Sequence, residues 1–177
     1  MKITENRHIA RAVLAVAIIA SILVSGGSAL SKYKSAATDT FYAQDGISFD
    51  LIRRGESAAL LATLAQSYSL DSSVIDRVSQ AAAAVSDADL AIGDRGSAHA
   101  ELSLAVDQLY TLLDKANLSA SDKDYAYSLY KEIQSRAQII DHSDYDAKAA
   151  DYNKEASGFP ASLIAALTGL GTLDSFR

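Results

Sequence analysis

The chain has 177 residues and a net charge of −6, from 16 Lys and Arg against 22 Asp and Glu. It contains no cysteine, which excludes disulfides, thiolate metal sites, cysteine nucleophiles and lipid attachment through cysteine. One proline and abundant alanine favour helix over sheet; residues 1–11 carry +2 (Lys2, Arg7 and Arg11 against Glu5), which leaves −8 for the rest, and that acidic body repels phosphate backbones and argues against a nucleic-acid partner.

The length suits one domain behind an N-terminal segment, and divides into a short basic flank (1–11), an apolar segment (12–30) and a helical body (31–177). Ala12 to Leu30 reads AVLAVAIIASILVSGGSAL, 19 residues without a charge. As a helix it would extend ~28 Å, close to the hydrocarbon thickness of a bilayer. Arg11 closes one side; Lys32 and Lys34 close the other. Gly26, Gly27 and these basic flanks count against a buried soluble helix. Two readings remain. One is an uncleaved transmembrane anchor running directly into the body. The other is a secretory signal, with Val13–Val24 as its apolar region and Gly27-Ser28-Ala29 as small residues for cleavage near Ala29. The three basic residues ahead of the segment predict a cytoplasmic N-terminus and an extracytoplasmic body in the cell membrane, a bias that Arg53 and Arg54 work against.

In the body, a first helix is predicted from about Ser31 to Ser69, bent near Gly46 or Gly55, with Leu51, Ala58, Leu61, Ala65 and Tyr68 facing inward. Arg54 falls on that same stripe, which requires it either to reach past the edge of a bundle or to pair with an acidic residue. Ser73 with Asp76 reads as a capping box. The second helix carries Val74, Val78, Ala81, Val85, Ala88 and Ile92 at alternating spacings of four and three, and Gly93-Asp94-Arg95-Gly96 then reads as a turn. A third helix repeats the seam with Leu102, Val106, Leu109, Leu113 and Ala116. After Asn117-Leu118, Ser119 with Asp122 or Ser121 with Asp124 caps a last long helix holding Ala126, Leu129, Ile133, Ala137 and Ile140. Such stripes bury one another in an all-α, antiparallel three- to four-helix bundle preceded by one N-terminal transmembrane helix. The seams are compatible with self-association, although packing within one chain accounts for them.

The end of the chain carries the most distinctive pattern. Tyr145, Ala149, Tyr152, Ala156 and Phe159 share one helical stripe; Pro160 ends that helix and opens another; Leu163, Ile164 and Leu167 give the new one an apolar face; Gly169 or Gly171 suits a left-handed cap. Tyr152-Asn153, Phe159-Pro160, then Ser162-Leu163-Ile164-Ala165 with Gly169 and Phe176, together resemble the LemA family. Arg53-Arg54 with Leu60, Leu64 and Tyr68, and Tyr125 with Leu129 and Ile133, look like that family's earlier regions, but the Leu-Ile-Pro that commonly follows the arginines is absent. The resemblance covers most of Lys32–Arg177. It implies a bacterial protein with one N-terminal membrane segment and an all-helical body, its biochemical role undefined; the first reading built on it is a membrane-anchored scaffold or interaction protein of the cell envelope with an unknown protein partner. For the motif residues Tyr152, Asn153, Phe159, Pro160, Leu163 and Ile164, burial favours a structural role at the end of a helical hairpin over a recognition site for a partner.

Recognisable chemistry is sparse. His8, His99 and His142 do not stand at helical metal-ligand spacing, and neither a serine-nucleophile motif nor a glycine-rich phosphate loop occurs. No cofactor and no enzymatic activity are expected. Asp141 and Asp144, beside His142, would neighbour each other on a helix and form a weak divalent-cation site, or else a solvated acidic face. Tyr125, Tyr127 and Tyr130 would either pack with their hydroxyls at the surface or present a docking surface. The runner-up to an anchored scaffold is a secreted or periplasmic helical protein that binds a ligand or cation; a hydrolase built from scattered Asp, His and Ser has least support.

Overall fold

Seven helices and no strand make up the regular structure of the described residues: α1 (Ile3–Tyr42), α2 (Ile47–Ser67), α3 (Ser72–Ser86), α4 (Ile92–Lys115), α5 (Ala120–Asp141), α6 (Tyr145–Ser157) and α7 (Ala161–Thr168). The computed structural model describes the backbone from residue 3 and side chains from residue 11, so of the basic flank Lys2 and the side chains of Glu5, Arg7 and His8 lie outside the described residues, and Arg11 within them is exposed. The chain packs as two compact units, one of Met1–Ala37 with Lys148–Leu173 and one of Thr38–Ala147 with Asp174–Arg177.

In the second unit α2 packs on α3 and α5, α4 joins α3 to α5, and α2 also meets α4 across the centre. The short connections make successive helices antiparallel. Side chains tie opposite ends together: Arg136 at the end of α5 holds Asp50 at the start of α2 at 2.6 Å, and Tyr68 at the end of α2 donates to Asp122 at the start of α5 at 2.5 Å. Most of each seam read from spacing is buried, with Leu51, Leu61, Val78, Val85, Leu102, Leu109, Leu113, Ile133 and Ile140 fully enclosed, but Tyr68, Val74 and Ala116 are half-buried and Ala88, beyond the end of α3, is exposed. Ser119 caps α5, its hydroxyl accepting from the Asp122 amide and donating to the Asp122 carboxylate.

Several boundaries differ from expectation. The helix predicted over 31–69 is two helices. α1 ends at Tyr42, and α2 begins after Gly46, where a Cβ would lie 2.8 Å from the Phe41 carbonyl oxygen. Only glycine lets the chain fold back that tightly. Gly55, by contrast, stays helical and makes no bend; a Cβ there would overlap Ser86 Oγ and sit 2.7 Å from the Ala82 carbonyl, so it sets how closely α2 approaches α3. Asp71, rather than Ser73, caps α3, accepting from the Ser73 amide at 2.9 Å. α3 stops at Ser86, because Asp87 Oδ1 takes the Asp89 amide at 2.9 Å and competes with helix continuation. Ile92 through Gly96, expected to close one helix and form a turn, are the first turns of α4.

In the first unit α1 runs unbroken through the apolar segment. Leu30 forms a small core with Tyr152, Ala156, Ile164 and Ala165, and Leu23, Leu170 and Leu173 pack against it. Gly169, at φ +70°, takes the left-handed cap of α7. α6 ends at Ser157, so the Tyr145 stripe stops at Ala156, and Phe159 is 89 % exposed instead of sharing it. Of the apolar face expected on α7, Ile164 is buried while Leu163 and Leu167 are exposed.

Candidate functional site

One feature of membrane chemistry is plain: α1 is long and apolar enough to cross a bilayer. Val13, Leu14, Val16, Ile18 and Ile19, which at 100° per residue point in every direction around the helix, are all exposed. A helix apolar on all sides and uncovered by protein lacks the polar face that a soluble surface helix presents to water.

The densest polar arrangement lies in the helical unit. Arg54 on α2 is completely buried and donates from Nη1 to His99 Nδ1 (2.7 Å) and to the His99 carbonyl (3.0 Å), and from Nη2 to Ser103 Oγ (2.7 Å). Its Nε–H has no partner, and no carboxylate touches it. Spacing correctly puts Arg54 on the inner stripe. What it pairs with is a histidine, a carbonyl and a hydroxyl, not the acidic residue expected. Burial, opposed by the more distant Asp141 and Asp107, pushes the guanidinium pKa down to about 10.

Arg54 also decides the state of His99. A guanidinium only donates, so Nδ1 must accept and the ring proton sits on Nε2, 3.3 Å from Asp141 Oδ1. Burial first, then the Arg54 charge, lower the His99 pKa to about 4, with Asp141 opposing. Both ring nitrogens are engaged, so His99 offers no free lone pair as a general base. Beside it opens a cleft of about 650 Å³ lined by His99, Ser103, Leu104, Asp141, Phe176 and Arg177, with Gly93 and Gly96 in its wall. Phe176 is buried, 5.6 Å from the His99 ring and 5.9 Å from Phe41 by ring centres. Arg177 donates to the Asp141 carbonyl (2.5 Å) and to Asp146 (3.1 Å).

A histidine with a pKa of 6.5 unfolded and about 4 folded takes up its proton more readily in the unfolded chain. Its contribution to stability is therefore complete above pH 6.5 and is lost as pH falls from 6.5 towards 4. At ~1.4 kcal/mol per unit the loss is at most roughly 3.5 kcal/mol. Urea titrations of the detergent-solubilised chain across that interval should show this decline, and His99→Gln should remove most of it.

A second buried arginine escaped the sequence reading. Arg95, expected in a turn, donates from Nε and Nη2 to the Val85 carbonyl at the end of α3 (3.1 and 2.9 Å) and from Nη1 to Ser48 (3.1 Å), its guanidinium lying 5.4 Å from the centre of the Phe41 ring. It satisfies a helix-end carbonyl that has no partner within α3.

The tyrosines proposed as a docking surface do not act alike. Tyr125 and Tyr127 are exposed, but two positions apart on α5 they face different ways. Tyr130 stacks on Tyr110 at 4.0 Å and donates to Asp107. α5 ends at Asp141, so Asp144 lies beyond the helix and the shared face expected for Asp141 and Asp144 is absent. Among the described residues no three His, Asp or Glu side chains converge in a way that would hold a metal ion.

Tyr152 and Asn153 have a clear local role. The Tyr152 hydroxyl donates to the carbonyls of Leu170 and Gly171 (3.1 and 2.9 Å), and the Asn153 amide exchanges two hydrogen bonds with the Leu173 backbone (2.8 and 2.9 Å). In this way two side chains of α6 pair a non-helical stretch that has no strand beside it. Pro160 opens α7, and Ile164 meets Gly26 of α1, where a Cβ would lie 2.6 Å from Ile164 Cδ1. The chain matches no family model, no curated protein and no solved structure.

Proposed function

We propose that the chain is a non-catalytic, LemA-like scaffold of the bacterial cell envelope, held in the membrane by residues 12–30 with its helical body outside the cytoplasm and an unidentified protein as its partner. The observation that carries the reading is the unbroken apolar stretch of α1, uncovered from Ala12 through Ile22. Its join to the body supports retention over cleavage. Leu23, Gly26 and Gly27 pack against α7 residues or the core they form, so removal near Ala29 would strip that core of one wall. The engaged ring of His99 leaves that residue no free lone pair for general-base chemistry. The exposed Tyr125 and Tyr127 and the His99 cleft are the surfaces on which partner mapping should begin.

Intact mass spectrometry of membrane and soluble fractions tests the anchor. Full-length chain confined to the membrane is the expected result. A soluble species beginning near Leu30 would replace this reading with a released, ligand-binding protein.

A further inference from the structure

The first unit contains a second apolar surface that a single transmembrane helix does not explain. From Gly158 to Leu173 the chain carries no charged residue, between Lys154-Glu155 on one side and Asp174 on the other. Within it Phe159, Leu163 and Leu167 are 89, 54 and 64 % exposed, and Leu163 and Leu167, four apart, form one stripe of α7. Water is a poor solvent for such a surface.

The position of α7 along α1 identifies what covers it. α7 seats Ile164 on Gly26, and Thr168 approaches Gly27, with Leu23 and Leu30 in the same packing. These residues belong to the final turns of the 12–30 segment, and Leu23 lies ~10 Å below Leu30 at 1.5 Å per residue. If residues 12–30 fill the hydrocarbon core, a helix packed against 23–30 is inside one leaflet, at the depth typical of interfacial helices. Just past that level come Lys32, Tyr33 and Lys34, with the Lys34 ammonium 6.0 Å from the centre of the Tyr152 ring. Basic and tyrosine side chains are the usual occupants of the headgroup zone.

Much of the segment's backbone is paired within the protein, as a lipid environment favours. Ser162 donates to Gly158, and Leu163 and Ile164 to Pro160, at the start of α7; Leu170 donates back to Ala165 at its end. Beyond it, Tyr152 and Asn153 take up Leu170, Gly171 and Leu173.

We propose that the Phe159–Leu173 segment is a re-entrant membrane element, with α7 lying in the same leaflet as residues 23–30 of α1 and its Leu163–Leu167 face against acyl chains. The proposal rests on the anchoring of residues 12–30. The chain has no tryptophan, so single Trp variants report depth directly. Full-length Val16→Trp, Leu167→Trp and Leu104→Trp chains, the last altered on an exposed face of α4, are reconstituted in phosphatidylethanolamine–phosphatidylglycerol vesicles with acyl-brominated lipid. Val16→Trp and Leu167→Trp should lose most of their emission, and Leu104→Trp little. Quenching of Val16→Trp without Leu167→Trp would overturn the re-entrant element and leave the anchor standing, the face then being covered by protein. Quenching of neither would remove both.

Discussion

Arg54→Ala should destabilise the chain by about 3 kcal/mol, whereas Arg54→Met should cost less than about 1 kcal/mol. The alanine leaves a void the size of a long side chain in a site with no exposed surface, and cavity formation dominates large-to-small changes. Methionine refills the volume and removes a cation that burial already disfavours, since its Nε–H is unpartnered and no carboxylate touches it. The groups it leaves are not all orphaned, because Ser103 Oγ also donates to the His99 carbonyl at 3.1 Å. Without the adjacent charge the His99 pKa should rise towards its ordinary value, so Arg54→Met should also lose less stability between pH 6.5 and 4. Urea denaturation of both variants at pH 7.5 and 4.5 checks this. Equal, large losses in the two would mean that the guanidinium hydrogen bonds, and not its volume, hold the site together.

Gly96→Ala should cost about 3 kcal/mol although it adds a single methyl group. A Cβ at this position would run into the Phe176 carbonyl oxygen and lie 2.7 Å from its carbon, and these are backbone atoms with no rotamer to escape into. The Asp174–Arg177 segment must then lift away. Phe176, 2 % exposed, would lose its burial, worth about 2–3 kcal/mol, and Tyr145 would lose the Asp174 carbonyl to which it donates at 2.8 Å. Tyr145 is itself fully buried, so its hydroxyl would be left without that acceptor away from water. Because both changes act by undocking one segment, Gly96→Ala and Phe176→Ala should be strongly non-additive, the double variant little worse than either alone. Additive losses would show that Gly96 acts on α4 itself.

Much of the helical unit was legible in spacing alone. Val78 and Val85, Leu102 through Leu113, and Leu129 through Ile140 recur every three or four residues and are buried. Periodicity identifies a face, though not where a helix stops. The breaks at 43–46 and 87–91 depend on a glycine that alone tolerates its neighbours and on one aspartate bonding an amide two residues ahead. Nor does it identify partners. Arg54 was visible as an anomaly on an apolar stripe, but its pairing with His99 and Ser103 spans a tertiary contact between α2 and α4. Arg95 carried no comparable signal, because a misplaced helix end set it in a turn. Phe159 continues the Tyr145 spacing in sequence, but it stands two residues past the end of α6, where the helical stripe no longer exists.

The return of Asp174–Arg177 to the helical unit also has a consequence for the order of assembly. Three helix pairs of that unit, α2 with α3, α3 with α4 and α4 with α5, join neighbours in sequence and form with little loop entropy, while α2 is met from farther along by α4 and α5. Phe176 instead meets Phe41 and the wall at Gly96 from the far end of the chain, and its receptor exists only once α4 is in place. The segment is therefore a late keystone: it locks an arrangement that other contacts have already built, and the His99 cleft acquires its Phe176 wall only in that final step.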